Sequence, residues 1–211
     1  MSLFRSITAQ EFYRERAVQL ADDHFDRERP GRNHAWIVRN VMPIAYDRYC
    51  AVLLPWQVIS DGESHPFFGF REAYHFFHKS VPQPLTLSRW HDDFKVFEAN
   101  REIPAALRGL LNRFAASADL VFVRCCRSAD PKDFHYWTIE RALFLELSDP
   151  FWEMPHRFGH FDIFPSGATW YMAHRDDEPL LYLAGSAHLI ESILAALPDQ
   201  ALPLRLDDRY F

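Results

Sequence analysis

The chain has 211 residues, of which 48% are hydrophobic, 25% charged and 16% aromatic, a composition typical of globular proteins and not of disordered ones. A formal net charge of −6 and the lack of any run of Lys or Arg argue against nucleic acid as a partner, because phosphate binding needs clustered basic side chains. No apolar run approaches the roughly 20 residues of a membrane span, and three cysteines argue against a disulfide framework, so the expected location is a reducing cytoplasm.

The first half of the chain predicts helices. Near the N-terminus, Thr8 followed by Glu11 is the capping-box pattern that begins a helix. A broad apolar face, with Pro43 in its first turn and Pro55 at its end, predicts a second helix. A third predicted helix is short and aromatic, and residues 85–98 fit either another short helix or an irregular segment. The three predicted helices cover about residues 8–25, 41–54 and 70–79.

The second half of the chain predicts strands between two helices. Leu107, Leu110 and Leu111 recur at helical spacing, which predicts a helix over residues 103–116. The last third predicts a strand, an acidic turn, a second strand and then a helix that begins at Ser186 and ends at Pro198. The predicted strands are 119–126, one long or two short strands within 135–147, and then 158–164, 169–173 and 180–184.

The order of these elements predicts the fold class. Segregated helices and strands favour an α+β fold, with N-terminal helices followed by an antiparallel sheet and a closing C-terminal helix. We expect a single compact α+β domain over residues 1–211. The alternative is a helical part over residues 1–84 and a sheet-containing part over residues 85–211.

Eleven histidines raise the question of a metal site. Two of them lie three residues apart on a predicted helix, a spacing that puts both rings roughly on one face. A catalytic zinc site needs three converging protein ligands and an open position. No HExxH signature is present, so scattered histidines are the ordinary interpretation and no cofactor is predicted. In the alternative interpretation the metal ligands come from His75, His78, His156, His160 and His174.

Other catalytic signatures are missing or incomplete. The chain has no GxSxG elbow, Walker A motif or GxGxxG motif. The letters HRD at His174 lack the rest of the kinase machinery. Cys125 and Cys126 follow a predicted strand, and a catalytic thiol there would need a nearby histidine, of which His135 is the closest in sequence.

Two stretches together resemble a loosely defined group of uncharacterised bacterial cytoplasmic proteins. The first is YDRYCAVLLP at residues 46–55, interpreted as a tyrosine–cysteine helix. The second is WYMAHRDDEPLLYLAGSAHLI at residues 170–190, a strand–turn–strand unit followed by Gly-Ser and a helix. Residues 154–167 depart from the pattern of that group. The resemblance implies a bacterial, cytoplasmic, stand-alone domain, and it transfers no activity and no functional residue.

We expect a non-enzymatic protein-binding module, such as an immunity or antitoxin-type protein. The chain is acidic and rich in aromatic residues, which are favoured anchors at interfaces, and a basic protein would suit its charge. The alternatives are a small enzyme, a metal-assisted hydrolase using the histidine cluster, or a protein with a pocket for an aromatic or acyl ligand. The expected binding surface consists of Trp170, Tyr171, Asp176, Asp177 and Glu178.

Overall fold

The computed structural model describes residues 4–14, 42–54, 56–60, 63–67, 69–94, 98–99, 103–126, 134–146, 160–174 and 179–208. Within them the chain is an α+β fold with an antiparallel sheet, as predicted. The predicted order of N-terminal helices before the sheet is wrong, because the first strand begins at Arg5.

Within the described residues, runs of one to three strands are separated by one or two helices. The strands are β1 (Arg5–Ser6), β2 (Arg48–Leu53), β3 (Trp56–Ser60), β4 (Glu63–Phe67), β5 (Glu98–Ala99), β6 (Leu120–Cys126), β7 (His135–Glu140), β8 (His160–Pro165), β9 (Trp170–His174), β10 (Leu180–Gly185) and β11 (Ala201–Leu204). The helices are α1 (Ala9–Tyr13), α2 (Phe70–Phe76), α3 (Leu87–Asp93), α4 (Ala105–Phe114), α5 (Arg141–Glu146) and α6 (Ala187–Ala196).

Eight strands form the main sheet, in the order β1-β7-β6-β8-β9-β10-β2-β11. A second sheet has three strands, in the order β4-β3-β5. The main sheet therefore takes β1 and β2 from the first 84 residues and its other strands from the rest of the chain. The number of domains stays a prediction.

Helices cover both faces of the main sheet. Successive side chains of a strand point to opposite faces, so each strand supplies two cores. On β6, Val121 and Val123 join the core under α4 and α6, while Phe122 joins the core under α1, α2 and α3. We call these the α4/α6 face and the α1/α2 face. Because both faces are buried, the central strands are apolar at nearly every position.

Strand β2 replaces the second predicted helix. The apolar residues from Tyr49 to Leu54 are consecutive, and they alternate between the two faces, with Cys50 on the α4/α6 face and Ala51 on the α1/α2 face. Periodicity cannot distinguish a short apolar run in a doubly covered strand from a buried helix. The tyrosine–cysteine segment of the bacterial resemblance is therefore a strand in this chain.

The C-terminal unit follows the prediction closely. Strands β9 and β10 are antiparallel neighbours, and α6 begins where the Ser186 hydroxyl accepts a hydrogen bond from the Leu189 N–H at 3.2 Å. The helix does not close the fold, however. After Pro198 the chain forms β11, which pairs with β2 at the end of the sheet. Within predicted strand region 135–147, only the first half is a strand, and α5 begins at Arg141.

Candidate functional site

The two aromatic residues of the predicted binding surface lie inside the protein. Trp170 and Tyr171 are each 1% exposed. The Trp170 indole is on the α4/α6 face, where its Nε1–H donates to the Leu111 carbonyl at 3.2 Å. Tyr171 is on the opposite face and stacks on Phe164, with ring centroids 5.8 Å apart. Both rings therefore belong to the core and not to a surface. The other predicted members of that surface, Asp176, Asp177 and Glu178, lie outside the described residues.

The candidate metal ligands are dispersed. His75 and His78 are exposed at the C-terminal end of α2. His174 is buried on β9 and stacks on Phe161, its register partner on β8, at 4.9 Å. His160 is the first residue of β8, one position before Phe161. His156 lies outside the described residues, and among the described ones no group of three or more His, Cys, Asp or Glu could hold a metal ion.

Strand pairing brings together one cysteine and one histidine. Cys125 on β6 is the register partner of His135 on β7, so the two side chains are cross-strand neighbours on the α4/α6 face. His135 is exposed and stacks on Trp137, with ring centroids 5.7 Å apart. The Cys125 thiol, in contrast, is buried in the core, where a substrate has no access to it.

A buried ion pair was not predicted from the sequence. Arg124 on β6 is 4% exposed and Asp162 on β8 is 5% exposed. The Arg124 Nε and Nη2 atoms donate to one carboxylate oxygen of Asp162, at 3.1 and 3.0 Å, and the Phe134 ring lies 5.1 Å from the guanidinium carbon. A charged residue inside an apolar strand, as in LVFVRCC, is the signal that could have found this pair.

Among the residues whose side chains are described, Phe76 on α2 is the exposed large aromatic one. Phe76 is 45% exposed, although Phe70, Ala73 and Tyr74 of the same helix are buried. Its ring meets that of Phe77 edge-to-face at 5.0 Å. We define the α2 surface as the exposed residues Glu72, His75, Phe76 and His78.

Helix α3 contacts the C-terminal end of α2 through Asp93. The buried Tyr74 hydroxyl donates to Asp93 at 2.9 Å, and burial raises the Tyr74 pKa above its usual value. Lys79, just after α2, donates to the Asp93 carbonyl at 2.6 Å and lies over the Phe94 ring at 4.9 Å. The hydrogen bonds hold the end of α2 against the end of α3, which fixes the position of Phe76.

The start of α2 is fixed by a residue far away in sequence. The Phe70 N–H donates to the backbone carbonyl of Asp199 at 2.8 Å, and the Arg71 N–H donates to its carboxylate at 3.3 Å. The Arg71 guanidinium also pairs with that carboxylate at 3.1 Å. Asp199 thus caps α2 and joins it to the β11 end of the main sheet.

Three of the described edge strands, β11, β4 and β5, offer little for an added strand. The Leu53 N–H donates to the Gln200 carbonyl at 2.6 Å, so these two residues form a hydrogen-bonded pair of the β2–β11 ladder. Because such pairs alternate along an antiparallel ladder, the backbone N–H and C=O positions of Ala201 and Pro203 point away from β2. The Ala201 N–H already donates to Leu197 at 2.8 Å, and Pro203 has no N–H. In the three-stranded sheet, the edge strand β4 contains Pro66 and the other edge, β5, has two residues.

No protein-family model, curated protein or solved structure matches the chain. The resemblance to a bacterial group stays a prediction. Among the helices of the described residues, none has the length and apolarity needed to cross a membrane.

Proposed function

We propose that the chain is a protein-binding module without enzymatic activity, and that a partner protein binds the α2 surface. The observation that carries the proposal is the exposure of Phe76 on a helix whose other aromatic residues are buried. Aromatic side chains supply a large contact area at interfaces and are enriched among the residues that contribute most to binding. The contacts of α2 with Asp93 and Asp199 support the proposal, because a helix that is already fixed loses little entropy on binding.

The charge of the α2 surface supports a basic partner. Glu72 and, on α3, Asp92 present exposed carboxylates. Arg71 and Lys79, which lie on either side of this surface in sequence, make contacts within the chain: Arg71 pairs with Asp199, and Lys79 donates to the Asp93 carbonyl. The net charge of −6 acts in the same direction, because it raises the association rate of a basic protein. An immunity or antitoxin-type protein, which binds a basic toxin, is the specific form that we propose.

The partner is expected to bind through side chains and not by adding a strand. Outward backbone donors of β11 are used or missing, and β4 carries a proline. Those edges are therefore poor templates for an incoming strand, whereas α2 offers an exposed ring on a fixed helix.

A photo-crosslinking amino acid at position 76 tests the proposal. The matched control carries it at position 191, an exposed site on α6 on the opposite face of the main sheet. We expect the position 76 variant, expressed in its native cells, to form one defined adduct with a basic protein that the position 191 variant does not form. The purified complex should weaken about ten-fold or more for Phe76→Ser, the loss expected for a central aromatic contact. No adduct, or equal adducts at both positions, contradicts the proposal.

The toxin-binding form needs a separate test. If a gene beside that of this chain encodes a basic toxin, its expression should arrest growth, and co-expression of this chain should restore it. Phe76→Ser should abolish the rescue while Glu191→Ser keeps it. A complex that forms at the α2 surface without any effect on growth would leave protein binding in place and rule out the toxin-binding form.

A further inference from the structure

The N-terminal residues 4–14, which we call the strap, wrap around one edge of the main sheet. Phe4 is buried in the core of the α4/α6 face, whereas Phe12 is buried in the core of the α1/α2 face. The Phe12 ring contacts Tyr136 at 4.8 Å and Phe164 at 5.5 Å. Two rings on opposite faces therefore hold the strap on β7.

The backbone attachment of the strap is short. Strand β1 pairs with two of the six residues of β7, Arg5 with Thr138 and Ser6 with Trp137. One further hydrogen bond runs from the Ile7 N–H to the Tyr136 carbonyl at 3.0 Å. The side-chain bond from Arg5 Nε to the Thr138 hydroxyl is long, at 3.4 Å. Strand β7 is thus covered by a strand much shorter than itself.

Helix α1, which carries Phe12, is stabilised within the strap itself. It has five residues, too few to be stable alone. Its capping box joins Thr8 and Glu11: the Glu11 N–H donates to the Thr8 hydroxyl at 3.1 Å, and the Thr8 N–H donates to the Glu11 carboxylate at 2.7 Å. The strap is therefore a self-contained unit of two anchoring rings, a short strand and a capped turn of helix.

We propose that the β7 edge is a strand-exchange site whose partner is the strap of a second copy of this chain. A second strap brings the same two rings at the same spacing and the same β1 register. After exchange, the strap of each copy makes the same contacts with the other copy that it made within its own chain, so no packing is lost. The extent of exchange then depends on the protein concentration and on how readily the strap is released. The other described edges lack such an exchangeable cover, because β11 and β4 are blocked by proline and used donors. This proposal goes beyond the proposed function and does not depend on the α2 surface.

A fluorescent peptide with the sequence of residues 4–14 tests whether the strap exchanges. Full-length Phe12→Ala protein should bind the wild-type peptide about ten-fold or more tightly than wild-type protein does, because the peptide supplies the ring that its weakened resident strap lacks. A peptide that itself carries Phe12→Ala should lose this advantage. Phe12→Leu, which keeps an apolar side chain at this position, should fall between the two proteins and serves if Phe12→Ala does not fold.

The second measurement is the oligomeric state. Light scattering on concentrated wild-type protein should show a dimer fraction that decreases when excess peptide is added. The proposal would be overturned if folded Phe12 variants bound the peptide no more tightly than wild-type protein does. It would also be overturned if the dimer fraction did not change when the peptide was added. Phe76→Ser provides the control: it should leave peptide binding unchanged, so failure here and failure of the α2 surface give different results.

Discussion

The carboxylate of Asp199 fills the space in which a side chain at Gly69 would begin. A Cβ added at Gly69 would overlap the Asp199 Oδ2 atom and lie 2.8 Å from its Cγ. Gly69 is the N-cap residue of α2, with φ −142° and ψ 156°, so its backbone is extended and any residue could adopt it. The requirement for glycine therefore comes from the close approach of Asp199 and not from the backbone conformation.

Replacement of Gly69 tests this relationship. Gly69→Ala should displace Asp199 and lose both its cap on α2 and its pairing with Arg71. We expect the free energy of unfolding to decrease by about 1–2 kcal/mol, the range for loss of a helix cap, as measured by urea denaturation. The matched control is Gly109→Ala in α4, where an added Cβ meets nothing within 4 Å. Because alanine favours a helix interior, Gly109→Ala should stabilise by roughly 0.5–1 kcal/mol. Equal effects at the two glycines would contradict this explanation.

Removal of one member of the buried pair Arg124–Asp162 should lower the free energy of unfolding more than replacement of both members by apolar residues. Asp162→Ala leaves the guanidinium buried without its carboxylate, and we expect a loss of about 3–5 kcal/mol in the free energy of unfolding. The double variant Arg124→Met with Asp162→Leu removes both charges, and it should recover most of that loss. A double-mutant cycle in urea measures the coupling. If the double variant is as unstable as Asp162→Ala, packing and not charge explains the effect.

The capping box of α1 predicts a pH dependence. Hydrogen bonds from the Thr8 backbone and hydroxyl lower the Glu11 pKa below its usual value. A lowered pKa in the folded chain means that the capping box contributes stability above the unfolded pKa, and that this contribution is lost as the pH falls through the folded value. Hydrogen exchange at Phe12, corrected for the intrinsic pH dependence of exchange, should show protection decreasing over that window. Glu11→Gln should remove the pH dependence, and a change of the same size in Glu11→Gln would contradict the assignment.

Helical spacing and capping motifs predict an element correctly where the sequence pattern fits only one kind of secondary structure. The helical spacing of Leu107, Leu110 and Leu111 predicted α4, and all three are buried as expected. The Ser186 N-cap and the Thr8–Glu11 capping box were found because these motifs are local in sequence. Doubly covered strands were harder, since β2 has no polar side to mark it as a strand.

The candidate site depends on contacts that no local pattern contains. Asp199 caps α2 across 128 residues of chain, and Trp170 contacts Leu111 across 59. An aromatic residue in an antiparallel strand can lie on a face that is open to a partner or on a face that helices cover. The sequence of the strand does not show whether helices cover that face. For this reason the sequence suggests Trp170 and Tyr171 as surface residues, while Phe76 is the exposed large aromatic side chain in the described part of the chain.

The thiol of Cys50 should be inert in the folded protein. It is buried on β2, and burial raises its pKa above the usual value because the thiolate would lose its hydration. Alkylation followed by peptide mapping should therefore find Cys50 unmodified at pH 8 in native protein and fully modified in denaturant. The raised pKa also means that the unfolded chain ionises first, so the free energy of unfolding should decrease as the pH rises above roughly 8.5. Cys50→Ala should make that decrease smaller, because buried tyrosines such as Tyr74 also have raised pKa values, and it should leave a small cavity. Modification of Cys50 under native conditions would show that β2 opens locally, although it is paired on both sides, with β10 and β11.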